Sequence, residues 1–474
     1  MARYITTTLP YVNADPHIGF ALEIIQADAL ARSWRLAGEE VFFSTGTDEH
    51  GQKIFEAAQK NNQDVHEYVK HYAHEVEKLK TILNLSTDGF IRTTDERHMR
   101  AAEEMWRRCD AAGDIYKKSY TGLYCVGCEA YKTEREIENG ACPLHPSTPL
   151  REMTEENYFF RFSKYQDALL EYLARPSSVV PDWRREEAIA FVTGGLEDFS
   201  ISRQAEKLSW GVPVPEDDTQ VMYVWFDALT SYISALGWPE NVQNFNHFWQ
   251  NSLTVQIAGK DQVRFQSLMW QAMLMSAKIE NTDTVFYHGF INSGGQRMSK
   301  SLGNVISPYD VVEKYGTDAT RYILLRHVHP SEDTDVTWER MDEWYTANLV
   351  NGLGNLVARV MKLAETHLDA PIEKPESMEF PKEYWSAFEA FEFSRAVDTV
   401  WERIQAADER ITREEPFKLV KTDAEAGKTI IRELVVELYQ IGRLLNPVMP
   451  VTSALIKTAV LENKKPENLF PRLP

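Results

Sequence analysis

The chain has 474 residues, a length that predicts about three domains, and 43% of them are hydrophobic, enough for large buried cores. We expect a cytoplasmic protein with no membrane partner, because no apolar run could span a bilayer and the N-terminus lacks a basic stretch followed by an apolar one. The formal net charge of −20 argues against a surface covered with nucleic-acid contacts. A local basic face is still compatible with this charge. Its candidate residues are Arg395, Arg403, Arg410, Arg413, Lys418 and Lys421.

A turn-forming segment near the N-terminus joins a predicted strand to a predicted helix. The β-branched and aromatic run at residues 3–11 predicts a buried strand, and apolar residues recur at helical spacing from Ile18 onward. Such turns bind anions in α/β sheets, because the first N–H groups of the helix lack partners and its dipole favours negative charge. His17 can donate to a phosphate there, and Gly19 lets a ligand approach the main chain. The same residues also fit an ordinary helix start.

A second loop with phosphate-binding chemistry spans residues 290–304. Two glycines in this loop are followed by two cations and two hydroxyls: Gly294, Gly295, Arg297, Ser299, Lys300 and Ser301. A flexible loop of this composition can close over a polyphosphate and supply charge during nucleotidyl transfer. A solvated basic turn is the alternative.

Two other predicted strands end in polar groups. The segment 39–53 begins with a predicted strand, and Asp48 lies just beyond that strand. A parallel sheet presents functional groups at this position. Alternatively, Asp48 caps the next helix. The segment 253–266 is a strand that ends at Gly259 and Asp261. The glycine permits close approach of a ligand, and the carboxylate can hold ribose hydroxyls.

The segment 221–237 is a strand-to-helix unit that is rich in aromatic residues. Trp225 and Tyr232, with Phe199, can wall a pocket for an unbranched thioether, because sulfur packs favourably at aromatic edges. Ordinary core packing would give the same pattern.

A zinc knuckle is predicted between residues 125 and 145. Cys125 and Cys128 form C-x-x-C, and Cys142 and His145 form C-x-x-H. Three thiolates and one imidazole complete a tetrahedral zinc site with no open position, so the metal is expected to be structural. Disulfides are disfavoured in a chain without a signal peptide. The remaining cysteine, Cys109, is expected to be a packing residue.

Together the motifs resemble those of methionyl-tRNA synthetases of the bacterial kind with one zinc knuckle: PYVNADPHIGF, TGTDEHG, the knuckle, DFSISR, YVWFDALTSY, GKD and RMSKS. The first and last contain the two signatures of class I aminoacyl-tRNA synthetases. The resemblance covers essentially the whole chain. It implies an α/β fold with a Rossmann-type parallel-sheet catalytic domain, an inserted zinc-binding connective domain and a C-terminal all-α anticodon-binding bundle. The implied boundaries are 1–112 and 196–300 for the catalytic halves, 113–195 for the connective domain, 301–345 for a stem-contact segment and 346–474 for the anticodon-binding domain.

The resemblance also assigns roles to individual residues. Asp48 would hold the ammonium of L-methionine, and Lys300 would neutralise charge in the transition state. The implied methionine pocket consists of Leu9, Tyr11, Asp48, Phe199, Trp225, Ala228, Leu229, Tyr232 and Gln266. The implied ATP-binding residues are His17, Gly19, Gly259, Asp261 and Lys300, and the implied catalytic residues are His17, Arg297 and Lys300.

The implied activity is that of a methionine–tRNA ligase. ATP, entering with Mg²⁺, would activate methionine to methionyl-adenylate with loss of pyrophosphate, and the methionyl group would pass to the 3′ end of tRNA(Met). One structural Zn²⁺ is the implied resident metal. Asn355, Arg359 and Phe417 fall at anticodon-contacting positions, although Phe417 also fits a hydrophobic staple. Because the chain stops at Pro474 without the extra tRNA-binding domain that dimerises many relatives, we expect a monomer.

Three positions depart from the family pattern. Phe20 replaces a histidine and cannot donate to phosphates, and loss of such a donor can cost about 10²–10³ in rate. Gln266 replaces a histidine beside the methionine side chain, and Arg297 replaces a lysine. A paralogue that binds tRNA or an amino acid without catalysis would also fit Phe20 and Gln266. A small nucleotidyltransferase would need neither the knuckle nor the helical C-terminal third, and a hydrolase would need an open zinc site.

Overall fold

The computed structural model describes residues 2–132, 134–298, 303–375 and 380–473 of the protein. They form two compact units, neither of which is continuous in sequence. The first unit comprises Met1–Pro16, Glu40–Lys78 and Thr87–His288, and the second comprises His17–Glu39, Leu79–Ser86 and Gly289–Pro474. Among the described residues, no helix is both long enough and apolar enough to cross a membrane.

Most of the strands belong to the first unit. In chain order they are β1 (Ala2–Thr7), β2 (Glu40–Thr47), β3 (Gly89–Arg92), β4 (Ile115–Cys125), β5 (Ala130–Lys132), β6 (Arg151–Phe160), β7 (Val179–Val180), β8 (Phe199–Ser200), β9 (Ser202–Gln204), β10 (Pro213–Val214), β11 (Asp217–Met222), β12 (Ser252–Gly259), β13 (Thr284–His288), β14 (Ile291–Ser293), β15 (Gln296–Arg297) and β16 (Thr334–Asp335).

A six-stranded parallel sheet forms the centre of the first unit. Its spatial order is β3-β2-β1-β12-β13-β7, and every neighbouring pair is parallel. The strand order reverses at β1, since β2 and β3 extend to one side and β12 and β13 to the other. Parallel sheets bind ligands beyond the carboxyl ends of their strands at such a reversal. The predicted Rossmann-type core is confirmed.

An antiparallel sheet within the first unit carries the knuckle. Its order is β5-β4-β6-β8, and β4 pairs with β6 from Ile115 opposite Phe160 to Tyr124 opposite Arg151. The chain between these two long strands contains the four predicted zinc ligands. A small sheet of β10, β11 and β9 completes the strands of this region.

The helices alternate with strands in the first half of the chain and follow one another in the last third. In chain order they are α1 (Ile18–Leu36), α2 (Gln52–Lys60), α3 (Val65–Ile82), α4 (Glu96–Ala111), α5 (Gln166–Leu173), α6 (Asp182–Thr193), α7 (Val224–Leu229), α8 (Ser231–Ser234), α9 (Val242–Phe245), α10 (Trp270–Ser276), α11 (Pro308–Tyr315), α12 (Thr317–Arg326), α13 (Trp338–Trp344), α14 (Asn355–His367), α15 (Lys382–Glu389), α16 (Phe393–Glu414), α17 (Pro416–Thr422), α18 (Ala424–Leu444) and α19 (Pro450–Glu462). Wider π-helical turns occur at Asn246–Gln250, Val263–Met269 and Tyr345–Gly354.

The second unit is built around the N-terminal helix α1 and the C-terminal helices. Arg321 of α12 is fully buried and forms an ion pair with Asp28 of α1, with 2.6 Å between Nη2 and Oδ2. Its guanidinium also donates to the carbonyls of Leu83, Pro447 and Val448. Because a buried arginine needs every donor satisfied, this one side chain fixes α1 against the helical part of the second unit.

Candidate active site and metal centre

The loops that follow β1 and β2 are joined by main-chain hydrogen bonds. Asp48 N donates to Pro10 O at 3.0 Å, and Val12 N donates to Asp48 O at 3.2 Å. These bonds hold Asp48 beside Tyr11, with which it forms an isolated parallel bridge. The segments therefore meet at the edge of the sheet where ligands bind.

The carboxylate of Asp48 is buried and forms no ion pair with any described residue. The residue is 2% exposed, and Oδ1 has no hydrogen-bond partner among the described residues. Burial, together with the negative charges of Asp227 and Glu129, raises the pKa of Asp48 well above its usual value. A bound ammonium group would supply the missing partner and restore the charged form.

Aromatic rings wall the space beside Asp48. The Trp225 ring stacks on Phe265 with 3.8 Å between centroids, and Tyr11 meets it edge-on at 6.3 Å. The indole Nε1 of Trp225 donates to the main-chain oxygen of Cys128 at 3.2 Å. The orientation of this ring is thus set by both the pocket and the knuckle.

Gln266 and Tyr232 form a polar end to this aromatic region. The amide nitrogen of Gln266 donates to Tyr232 Oη at 2.5 Å and to Thr8 Oγ1 at 3.0 Å. Its Oε1 is buried and has no partner among the described residues. Gln266 lies in the π-helical turn that follows β12, and this wider turn sets which of its side chains face inward.

The remaining predicted pocket residues are buried or partly buried in the first unit. Leu9 packs with Ile91 and Ala235, and Ala228 and Leu229 are buried on α7. Phe199 lines a cavity of about 330 Å³ with Tyr223 and Phe265. The structure therefore brings Tyr11, Asp48 and Trp225 into one cluster and links Phe199 to it through Phe265, and the binding role of each residue stays a prediction.

A buried histidine–aspartate–histidine network supports α7. Asp227 Oδ2 lies 2.6 Å from His50 Nδ1, and Oδ1 lies 2.7 Å from His98 Nε2. Burial opposes the charge of Asp227, but the two histidines lower its pKa to about 2. Sequence reasoning missed this network. Its signal was an aspartate placed between Trp225 and Ala228.

The two signature segments meet within the second unit. His17 caps α1, and its Nδ1 accepts from Gly19 N at 3.1 Å. Ile18 N donates to Ile306 O at 3.0 Å, in the chain that follows the RMSKS loop. A Cβ on Gly19 would lie 2.9 Å from His17 Nδ1, so this position requires glycine if the cap is kept. Phe20 is buried in α1 and 9% exposed.

The other predicted nucleotide-binding residues lie on separate elements. Gly259 ends β12, and Asp261 follows it in a short helical turn, where its Oδ2 accepts from Gln262. Arg297 is exposed on β15, with its guanidinium 4.5 Å from the Phe290 ring centroid. Lys300 lies outside the described residues.

The four predicted zinc ligands converge on one point. The ligand atoms of Cys125, Cys128, Cys142 and His145 all lie within 4.8 Å of one another. The Cys128 and Cys142 sulfurs are 3.4 Å apart, near the roughly 3.8 Å edge of a tetrahedron with ~2.3 Å zinc–sulfur bonds. A Cβ on Gly127 would overlap the His145 ring, so this glycine makes room for the fourth ligand. The four ligands fit a tetrahedral zinc ion and would leave no coordination position open.

The predicted anticodon residues lie on two helices of the second unit. Asn355 is exposed at the start of α14, and Arg359, one turn later, forms an ion pair with Asp408. Phe417 is in the first turn of α17 and is 40% exposed, and Lys418 Nζ lies 5.9 Å from the centroid of its ring. Their role stays a prediction.

The chain resembles known proteins over nearly its full length. Residues 3–149 and 146–361 match the family described as tRNA synthetases class I (M). The methionine–tRNA ligase of Thermotoga maritima is 38% identical, with 98% of this chain and 76% of the relative covered. That of Brucella suis is 39% identical, with coverage of 94% and 89%. The solved Mycobacterium tuberculosis methionyl-tRNA synthetase in complex with methionyl-adenylate has a TM-score of 0.90 at 35% identity, covering 99% of this chain and all of that one.

The chain belongs to the methionine–tRNA ligase family of class I tRNA synthetases. Membership in this family confirms the resemblance drawn from the motifs, and the sheet and helical region confirm the fold class. In this member of the methionine–tRNA ligase family, Phe20 and Gln266, two of the residues that depart from the motif pattern, are both buried. Gln266 donates a hydrogen bond to Tyr232, whereas Phe20 is one of the buried residues of α1.

Proposed function

We propose that this protein is a methionine–tRNA ligase. The observation that carries the proposal is the buried carboxylate of Asp48. Its Oδ1 has no hydrogen-bond partner among the described residues, and it lies beside Tyr11, whose ring contacts Trp225. An amino acid with an apolar, sulfur-containing side chain satisfies both features, because its ammonium pairs with the carboxylate and its thioether packs on the rings. Similarity over the full chain to a structure holding methionyl-adenylate supports the same ligand.

The proposed reaction has two steps. A carboxylate oxygen of methionine attacks the α-phosphorus of ATP, the bond to the β-phosphate oxygen breaks, and pyrophosphate leaves with its Mg²⁺. A hydroxyl of the terminal ribose of tRNA(Met) then attacks the activated carbonyl and releases AMP. The protein forms no covalent bond, so catalysis rests on positioning and electrostatics.

Separate groups of residues are proposed to bind methionine, ATP and zinc. Asp48 holds the ammonium, and the pocket of Leu9, Tyr11, Phe199, Trp225, Ala228, Leu229, Tyr232 and Gln266 holds the side chain. Asp261 is proposed to hold the ribose hydroxyls of ATP, and Gly259 to permit its close approach. The proposed phosphate-binding residues are His17, Gly19, Arg297 and Lys300. Zn²⁺ held by the knuckle would be structural, since four protein ligands leave it no position for substrate.

The segment boundaries implied by the sequence extend this proposal to tRNA. We assign 301–345 to the acceptor-stem side and 346–474 to the anticodon, with Asn355, Arg359 and Phe417 contacting its bases. Because ribosomes in the cytoplasm consume methionyl-tRNA, we place the enzyme there, and a monomer stays the predicted state.

Amino-acid-dependent exchange of pyrophosphate into ATP, run across the twenty amino acids, tests the proposal. Methionine alone should stimulate exchange. Asp48→Asn should raise the KM for methionine at least tenfold, since a charged hydrogen bond contributes about 1.5–3 kcal/mol. Asp218→Asn, an exposed change of the same kind, should have no effect. A folded, zinc-loaded protein that is silent with every amino acid would instead be a non-catalytic paralogue, the alternative that the missing donor at Phe20 favours.

A further inference from the structure

A cavity lined by positive charge lies within the second unit. It has a volume of about 480 Å³, and its polar and charged walls are Arg35, Lys374, Tyr439, Arg443, Asn446 and Lys457. We call it the cationic cavity. Among the described residues, no aspartate or glutamate lines it, although the whole chain has a net charge of −20.

Among the described residues, the lysines of the cationic cavity lack the acidic partners that several other cations of this unit have. Arg403 is 2.7 Å from Glu437, and Arg326 is 2.8 Å from Asp398. Lys374 and Lys457, in contrast, form no ion pair with any described residue. Burial and the positive charges of Arg443 and Lys374 lower the pKa of Lys457. The charged form of Lys457 is therefore disfavoured, and an anion bound in the cavity would reverse this penalty.

The helix dipole explains the position of only two of the four cations. Arg35 lies in the last turn of α1 and Arg443 in the last turn of α18, where cations interact favourably with the helix dipole. Lys374 lies in the segment before α15, and Lys457 lies within α19, so neither has that explanation.

The two arginines are held in place. Arg35 Nη1 donates to Ser86 Oγ at 2.6 Å, and the Arg443 guanidinium lies 4.5 Å from the Phe380 ring centroid. Anchored guanidinium groups need little ordering when a ligand binds, which favours affinity.

We propose that the cationic cavity binds a small polyphosphate, either free or as the phosphate chain of a nucleoside triphosphate. Four cations around one cavity match a ligand that concentrates several negative charges, whereas a single backbone phosphate of RNA carries one. The volume lies in the range of about 300–1,000 Å³ typical of small-molecule sites. The Asn446 amide and the Tyr439 hydroxyl supply neutral polar groups beside the cations.

Calorimetric titration of the full-length, zinc-loaded protein with inorganic tripolyphosphate tests this proposal. Lys457→Gln and Lys374→Gln should each weaken binding about tenfold, as expected for loss of one charged contact. Lys464→Gln, which removes an exposed charge just beyond α19, should change it less than twofold. Melting temperatures of all three variants check folding. Removal of Lys457 should not lower stability, because its charge is disfavoured in the native protein.

Three results of the tripolyphosphate titration would overturn the proposal: no binding to the wild type, equal loss in Lys464→Gln and Lys457→Gln, or unchanged binding in Lys457→Gln and Lys374→Gln. The last would place the binding at the ATP site instead. A parallel titration with ATP separates the two sources. Loss of affinity for both ligands supports recognition of a nucleotide's phosphate chain, and loss for tripolyphosphate alone supports a free polyphosphate. If only tRNA binding falls in these variants, the cavity is an RNA contact and the proposal is wrong.

Discussion

Glu129 links the predicted zinc knuckle to the proposed methionine pocket, and its replacement should weaken both. It directly follows Cys128, is 1% exposed, and accepts from Gln52 N at 3.1 Å and Lys53 N at 2.5 Å. These amides begin α2, which follows the loop of Asp48. A Cβ on Gly51 would clash with the Glu129 carboxylate, so the contact is close-packed.

The expected magnitude follows from these two hydrogen bonds. Glu129→Ala leaves two helix N-terminal amides without a protein acceptor, at about 1–2 kcal/mol each, so the free energy of unfolding should fall by about 2–4 kcal/mol. Glu129→Gln keeps one acceptor oxygen and should lose about half as much. Because α2 adjoins the Asp48 loop, the KM for methionine should rise while kcat changes less.

Denaturant unfolding and methionine-dependent pyrophosphate exchange measure the two effects on zinc-loaded protein. Glu134→Ala, an exposed change in the same knuckle, is the matched control. If Glu129→Ala unfolds at the same denaturant concentration as Glu134→Ala, the carboxylate does not stabilise α2 and the proposed link is wrong.

Three further predictions concern the metal, acid stability and tRNA. Purified protein should contain close to one zinc per chain, and Cys142→Ser should lose the metal and melt at a lower temperature; a fully active, metal-free preparation would contradict the structural role. The pKa of Asp227 is lowered to about 2, so its ionised form stabilises the protein above the unfolded pKa of about 4, and this stability is lost as pH falls through about 2. Acid titration of Asp227→Asn, followed by circular dichroism, should therefore lack that part of the transition, and an unchanged profile would refute it. Phe417→Ala should weaken tRNA binding by about 1–3 kcal/mol and slow charging at limiting tRNA, yet leave pyrophosphate exchange intact; loss of exchange would indicate a structural role instead.

Local patterns predicted the parts of the fold and site whose cause is local. Within each pair of predicted zinc ligands, the two residues are three positions apart. This spacing alone indicated the cluster of Cys125, Cys128, Cys142 and His145. The strand, turn and helix around His17 follow from β-branched and helical periodicities in the same way.

Contacts between distant residues could not be predicted. Asp227 binds His50 and His98, which precede it by more than a hundred residues, and no periodicity relates them. The acceptor for the Trp225 indole is a main-chain oxygen of the knuckle, which side-chain chemistry does not reveal. Arg403 and Arg410, two of the arginines proposed for a basic face, are paired with Glu437 and Glu433 of α18, a neutralisation that depends on tertiary packing.

The buried pair of Asp28 and Arg321 has a consequence for synthesis of the chain. Helix α1 is synthesised before α12. Arg32 pairs with Asp28 within α1, but the fully buried partner Arg321 comes 321 − 28 = 293 positions later. At about 5–20 residues per second, that delay is on the order of 15–60 s. During this interval a helix that is mostly buried in the finished protein has no native partner from α12. The nascent chain therefore depends on other contacts, or on chaperones, to protect it from aggregation.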